Sequence, residues 1–184
     1  MFNERKVAQI AAYLLQKRGG KMSHLKLMKL MYLADRESYL QHGCSISEDC
    51  AVSMAKGPVL SQTLDLMDGD ASVLTQKEWD SWISPKANHE VSLAHPINLH
   101  SLDELSASEI CILDEIYKQY GHMGRWELAE LTHDFPEWHD PEKSMLPIST
   151  HDIFKALGKE ANEVMGLMSI LEENRAIDAL FASL

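Results

Sequence analysis

Residues 23–43 constrain the fold more than any other segment. Their apolar positions Leu25, Leu27, Met28, Leu30, Met31, Tyr32 and Ala34 cover well over half the circumference of a helix. Lys26, Lys29 and Arg36 are left to share a narrow polar strip. A helix this apolar is buried on several sides, so the rest of the chain must wrap it. Ser23 is the expected N-cap, and Gly43, after Tyr39 and Leu40, the expected stop. A chain of 184 residues, 45% of them hydrophobic, buries enough surface to fold as one domain over 1–184 without a disulfide framework or a structural metal.

The flanking segments supply the wrapping. Val7, Ile10, Ala11, Leu14 and Leu15 fall at helical spacing, which predicts a helix over about 4–18 that ends at Gly19-Gly20. Ile46, Cys50, Val52 and Met54 suggest a short strand that enters a turn at Lys56-Gly57-Pro58. Pro58 suits the first position of a new helix, which Val59, Leu60, Leu64 and Met67 continue to Gly69. A capping box, Thr75-x-x-Glu78, opens a short helix with Trp79 and Trp82, and Pro85 stops it. Residues 90–95 alternate polar and apolar and read as a second strand, pairing antiparallel with the one near Val52. Ser106-x-x-Glu109 opens a further helix that stops at Gly121. Trp126, Leu128 and Leu131 line a short helix, Pro136, Pro141 and Pro147 mark a loop, and two helices start near Thr150 and Glu160. The expected fold is mainly α (α+β): a compact helical domain around a buried central helix, with a small antiparallel β-ribbon.

Charge narrows the function. Lys and Arg number 17 against 28 Asp and Glu, a formal net charge of −11, so wholesale phosphate binding is not expected and nucleic acid is not the default partner. Residues 1–36 nevertheless hold eight basic and two acidic residues, a balance of +6, while the remainder, nine basic against 26 acidic, stands at −17. This asymmetry reads either as a basic end suited to oriented docking or as the solvated faces of two helices. Cys44, Cys50 and Cys111 are odd in number and lack metal-ligand spacing, which points to reduced thiols in a cytoplasmic chain. No apolar run reaches the length of a membrane span, and residues 1–7 lack the apolar core of a secretion signal.

Motifs for chemistry are sparse. His133-Asp134 and His139-Asp140 form the densest histidine cluster, but their spacing fits neither a helical zinc pair nor a finger, and they read as groups that fix a loop. There is no G-x-S-x-G elbow, and Gly19-Gly20-Lys21 is a turn rather than a P-loop. No catalytic residue, metal or cofactor is expected. The first two predicted helices have the lengths of a helix-turn-helix, yet the second has too little free face to enter a groove while packing its core.

Three blocks carry a resemblance. They are Lys26 through Arg36 with Tyr39-Leu40 and Gly43; Ala51-Val52-Ser53-Met54-Ala55-Lys56-Gly57-Pro58-Val59-Leu60-Ser61; and Leu105 through Ile116, followed by Glu127-Leu128-x-x-Leu131-Thr132-His133 and Pro136-Glu137-Trp138. In this order they resemble the Panacea-domain family, the SocA-like antitoxins, over about residues 5–160. The resemblance implies a non-enzymatic antitoxin that binds a toxin encoded beside it. A SocA-like member also hands its toxin to an ATP-dependent protease, and a second copy of the chain is a further partner to consider. Under this reading Asp35, Arg36, Gly57, Pro58, His133, Glu137 and Trp138 shape the scaffold, and Met54, Lys56 and Ser61 beside the turn are the partner-contact candidates. Two positions depart from the family pattern: Lys56 stands where an aromatic residue is frequent, and there is no tyrosine near Thr63-Leu64. The departures bear on the surface around the turn. A DNA-binding or phage-related regulator is the alternative reading, with a hydrolase built on residues 133–140 behind it.

Overall fold

The computed structural model describes residues 2–69 and 77–182. Among them are eight α-helices and two three-stranded antiparallel sheets, a mainly α fold with a small β component. Helix α1 (Glu4–Lys17) is capped by Asn3, whose side chain accepts from Lys6 N at 3.2 Å. Strand β1 (Lys21–Ser23) leads into α2 (His24–His42), which Gly43 ends in the left-handed conformation at φ 75°. A loop then reaches the hairpin of β2 (Ala51–Met54) and β3 (Gly57–Leu60), followed by α3 (Ser61–Asp68). Next come α4 (Lys77–Trp82), β4 (Ile83–Ala87), β5 (Glu90–Leu93), α5 (Ala107–Tyr120), α6 (Arg125–His133), β6 (Leu146–Pro147), α7 (Thr150–Ala156) and α8 (Ala161–Ala182).

The central helix is where its pattern placed it. Leu27, Met28, Leu30, Met31 and Tyr32 are fully buried, and α2 packs against α1, α3, α5, α6 and α7 and against β1 and β3. Each such side chain contributes about 1.5–3 kcal/mol through burial, which makes α2 the main source of cohesion. With residues 25–35 all buried, that stretch of α2 has no free face to enter a DNA groove.

Several expectations are corrected. Lys26 and Lys29 are buried, at 5% and 0% exposure, because each ammonium meets backbone carbonyls inside the protein rather than water. Ser23 precedes α2 but makes no capping bond; His24 N donates instead to His89 O at 3.1 Å, since β1 delivers the chain into the helix. Pro58 does not open a helix. It lies in β3, paired with Ser53, and Val59 and Leu60 are strand residues too, so α3 begins only at Ser61. Strand β5 does not meet Val52: it lies between β1 and β4, while β2 lies between β3 and β6. The anticipated ribbon is thus two separate sheets, one at the α1–α2 junction and one packed on α2 through β3. Pro85 sits inside β4, and α4 ends at Trp82. The Thr75 half of the anticipated capping box lies outside the described residues. The capping box at Ser106 and Glu109 is present, as are α6 and the two helices after it.

The basic first segment keeps Lys17, Arg18 and Lys21 exposed, and much of its charge is paired. Arg5 forms a two-pronged contact with Asp103 at 2.8 and 3.0 Å, Lys6 meets Glu109 at 2.7 Å, Lys17 meets Asp114 at 2.8 Å and Lys21 meets Glu90 at 2.6 Å. These carboxylates pair α1 with α5 and its approach, and β1 with β5. Tyr13 donates to Asp114 at 2.6 Å, and the buried Gln9 bridges Asp103 and the backbone of Glu104.

Asp49 starts α3. No residue caps this helix from the usual position, but Asp49 Oδ1 accepts from Gln62 N at 3.0 Å and Oδ2 from Thr63 N and Thr63 Oγ1, both at 2.7 Å. Its carboxylate thereby satisfies the open amides of the first turn and favours the positive end of the helix dipole. Asp49→Ala is expected to lower unfolding free energy by about 2 kcal/mol or more in urea titrations, with the far-ultraviolet spectrum otherwise native.

Candidate functional site

Around the β2–β3 turn, side chains of α2, the α6 end and the loop 134–139 converge. Gly57 opens β3 at φ 88°, and a Cβ there would lie 2.4 Å from Thr132 Oγ1, 2.8 Å from Lys29 Nζ and 3.3 Å from the His133 ring. Only glycine fits, both for its backbone angle and for the space. Lys29 Nζ donates to Pro58 O at 2.6 Å, so the central helix holds the strand just past the turn from inside. Burial pulls the Lys29 pKa down from 10.5 to about 7, since the charged form has lost its water.

The loop after α6 closes over the same hairpin. Trp138 Nε1 donates to Met54 O at 3.1 Å, His139 N donates to Ser53 Oγ at 3.2 Å, and the His133 ring stacks on Trp138 with centroids 4.3 Å apart. Glu137 turns inward, 3% exposed, where its Oε1 accepts from Tyr32 OH at 2.9 Å and from Arg36 Nε at 2.7 Å. The Arg36 guanidinium also lies over the Phe135 ring, 4.3 Å from its centroid. Burial and the adjacent Glu137 charge push the Tyr32 hydroxyl well above its usual pKa, so it stays a donor throughout the physiological range.

Asp35, the neighbour of Arg36, points the other way. Its Oδ1 accepts from Ile46 N and Ser47 N, each at 2.9 Å, and Ser47 Oγ donates to Oδ2, which fixes the loop between α2 and β2. Full burial raises its pKa to about 6 despite these bonds. Lys26 completes the set, donating to Gly121 O and Met123 O, both at 2.7 Å, where α5 turns into α6.

The seven residues read as scaffold thus fall on two fastenings. Gly57, Pro58, His133, Trp138, Glu137 and Arg36 surround the turn and its covering loop, while Asp35 holds the loop before β2. The three contact candidates do not share one surface. Lys56 is exposed at the tip of the hairpin and Met54 is half-buried beside it, but Ser61 lies at the opposite end of β3, with its N donating to Cys50 O at 2.9 Å. Four strand residues separate the two ends, about 13 Å.

A residue that sequence reasoning assigned to the lining of α6 stands next to Lys56. Trp126 is 56% exposed; Lys56 Nζ lies 5.4 Å and Arg125 Cζ 5.3 Å from its ring centroid. The periodicity held the signal, for Trp126 precedes the buried Leu128 by two residues and so points to the opposite face of the helix. An exposed aromatic ring with two cations beside it suits a partner that brings carboxylates and an apolar group together. His133 and His139, the densest histidine pair, serve this corner through stacking and a backbone bond, and among the described residues no three His, Cys, Asp or Glu side chains gather as a metal site.

Two outcomes test the fastenings. Arg36→Ala leaves the buried Glu137 carboxylate without its cation and is expected to cost about 3 kcal/mol or more, whereas Arg36→Met with Glu137→Leu costs less than that single change; urea titrations of the two variants decide it. For Lys29, the unfolded chain binds a proton that the folded chain releases between pH 7 and 10.5, so stability rises with pH across that window. Relative to Lys29→Met, the wild-type chain is expected to gain up to about 1.4 kcal/mol per pH unit there, and parallel pH profiles would contradict the assignment.

The family model for the antitoxin SocA-like Panacea domain matches residues 27–139, from the second turn of α2 to the loop that covers the hairpin. No curated protein and no solved structure matches the chain. The matched span holds Lys29, Arg36, Gly57, His133, Glu137 and Trp138, and leaves α1, α7 and α8 outside. The chain belongs to the SocA-like antitoxin family, with its Panacea domain built on α2, the β2–β3 hairpin and the loop that locks them together.

Proposed function

We propose that this protein is a non-enzymatic antitoxin that neutralises a toxin encoded beside it by direct binding, and that the hairpin tip with the start of α6 is the contact surface. The observation that carries the proposal is the exposed Trp126 at the start of α6, within reach of both Arg125 and Lys56, the latter at the tip of a turn that Gly57 and Lys29 shape. The chain as a whole carries −11, so this cationic and aromatic corner is electrostatically distinct and would orient a partner with an acidic patch. Tryptophan and arginine are the residue types that most often dominate binding energy at interfaces.

Membership of an antitoxin family supports a toxin as the partner class. Action in the cytoplasm is part of the same proposal, and among the described residues no helix is long and apolar enough to cross a membrane. Delivery of the bound toxin to an ATP-dependent protease is the finer version of the same reading, and it needs a face that stays open once the toxin is bound.

Co-expression tests the proposal. The neighbouring open reading frame is expected to arrest growth alone and to be relieved by this protein, with the two co-purifying. Trp126→Ala and Lys56→Glu should each weaken capture by about tenfold or more while leaving thermal stability unchanged, and Ser61→Ala should leave capture intact. Rescue and capture undiminished in both Trp126→Ala and Lys56→Glu would place the interface elsewhere.

A further inference from the structure

A groove of about 870 Å³ opens beside α2, large enough for a small organic ligand. Tyr32, Asp35, Arg36 and Tyr39 line it along one face of the helix, and the 44–52 loop, the approach to α7 and part of α8 complete its walls. Arg36 is the unusual member. Its Nε donates to Glu137 Oε1 at 2.7 Å and its guanidinium rests on Phe135, so the side chain is held in place. A guanidinium beside a carboxylate can form a two-pronged fork, yet Glu137 Oε2 is buried without a partner and the fork is not made. Among the described residues the two Nη groups of Arg36 find no hydrogen-bond acceptor, and neither is buried. Arg175 lines the same groove from α8; it is exposed, and its charge bears on the hydroxyl of Tyr39, one turn beyond Arg36 on α2. Three carboxylates of the lining are already engaged: Asp35 with Ile46 and Ser47, Asp49 with Gln62 and Thr63, Glu109 with Lys6 and Ser106. Glu48 and Asp178 add negative charge, so the groove holds an anion through direct contact with its guanidinium groups rather than through a long-range field.

We infer that this groove binds a small molecule that carries a carboxylate or phosphate on an apolar body. The oxyanion accepts from the Nη groups of Arg36 and pairs with Arg175, since guanidinium groups suit planar, two-pronged recognition of such anions. Val52, Leu60, Ile148, Ile153 and Leu171 offer the apolar wall that the body of the ligand covers. Water satisfies the Nη groups in the free protein, but a guanidinium already held by Glu137 and Phe135 loses little further freedom when an oxyanion replaces that water. A purely apolar occupant would bury the Nη groups without acceptors, which costs more than the wall returns. A bare anion would leave the wall wet and forgo its contribution. The inference is independent of the toxin-binding proposal, since neither Trp126 nor Lys56 lines the groove, and Ile148, Ile153, Leu171 and Arg175 lie outside the matched family span.

Calorimetric titration of the full chain with octanoate, octyl phosphate, octanol and inorganic phosphate tests it. Octanoate or octyl phosphate is expected to bind saturably with a Kd below about 1 mM, and whichever binds more tightly identifies the head group. Octanol and inorganic phosphate should each bind about tenfold or more weakly than that probe. Bound probe should also slow maleimide labelling of Cys44 and Cys50, which line the groove, and leave that of Cys111, which does not, unchanged. Arg175→Ala is expected to weaken binding about tenfold or more at unchanged thermal stability, because the side chain is exposed. Lys118→Ala, which removes an exposed cation outside the groove, should leave binding intact. Arg36→Met combined with Glu137→Leu should abolish it while circular dichroism stays native. No saturable binding of either octyl probe, octanol bound as tightly as the octyl anions, binding that leaves Cys44 and Cys50 unprotected, or full affinity in Arg175→Ala would overturn the inference.

Discussion

The charged groups of Lys26, Lys29, Asp35 and Arg36 enter the interior with α2, and the surrounding loops are arranged to meet them. An ionised group taken from water costs several kcal/mol unless hydrogen bonds or an opposite charge replace its hydration. Each of these four finds that replacement on a different segment: Lys26 at the α5–α6 turn, Lys29 at Pro58, Asp35 at Ile46 and Ser47, Arg36 at Glu137. The hydrophobic burial of α2 provides the energy of cohesion but no direction, because leucine and methionine accept many arrangements. Its polar groups provide direction, since a buried ammonium is satisfied only where carbonyls converge.

This division of labour explains how a mainly helical domain presents a defined β turn. A four-residue strand pair has little stability alone. Here β2–β3 is held from inside by Lys29, from the side by Trp138 and His139, and at its base by Asp49, which joins it to α3. The tip that carries Lys56 is therefore positioned before any partner arrives. Preorganisation of this kind lowers the ordering cost of binding, which matters for a surface as small as one turn and the start of one helix.

Much of this was legible in the sequence, and the failures have a common cause. The burial of α2, the Ser106 capping box and the succession of helices followed from periodicity and capping, which are local signals. The three family blocks also picked out Arg36, Gly57, His133, Glu137 and Trp138, which the structure gathers around one turn. What local signals missed was every long-range pairing. Lys29 read as a surface residue because nothing near it in sequence reveals the carbonyl of Pro58; Arg5, Lys6 and Lys17 read as a basic patch because their carboxylates lie about a hundred residues away. Val91 was paired with the wrong strand because alternation identifies a strand but not its neighbour. Asp49 was overlooked since it caps α3 from beyond the residues where a cap is sought.

The proposed binding surface is built before it binds, with the hairpin tip and the start of α6 acting as one unit. Hydrogen exchange of the free protein and of its complex with the proposed toxin partner tests this most directly. The expected result is that residues 51–60 and 134–139 already exchange slowly in the free protein, and that binding adds protection at 54–57 and 125–128. Fast exchange throughout the free hairpin, or new protection that bypasses both segments, would contradict it.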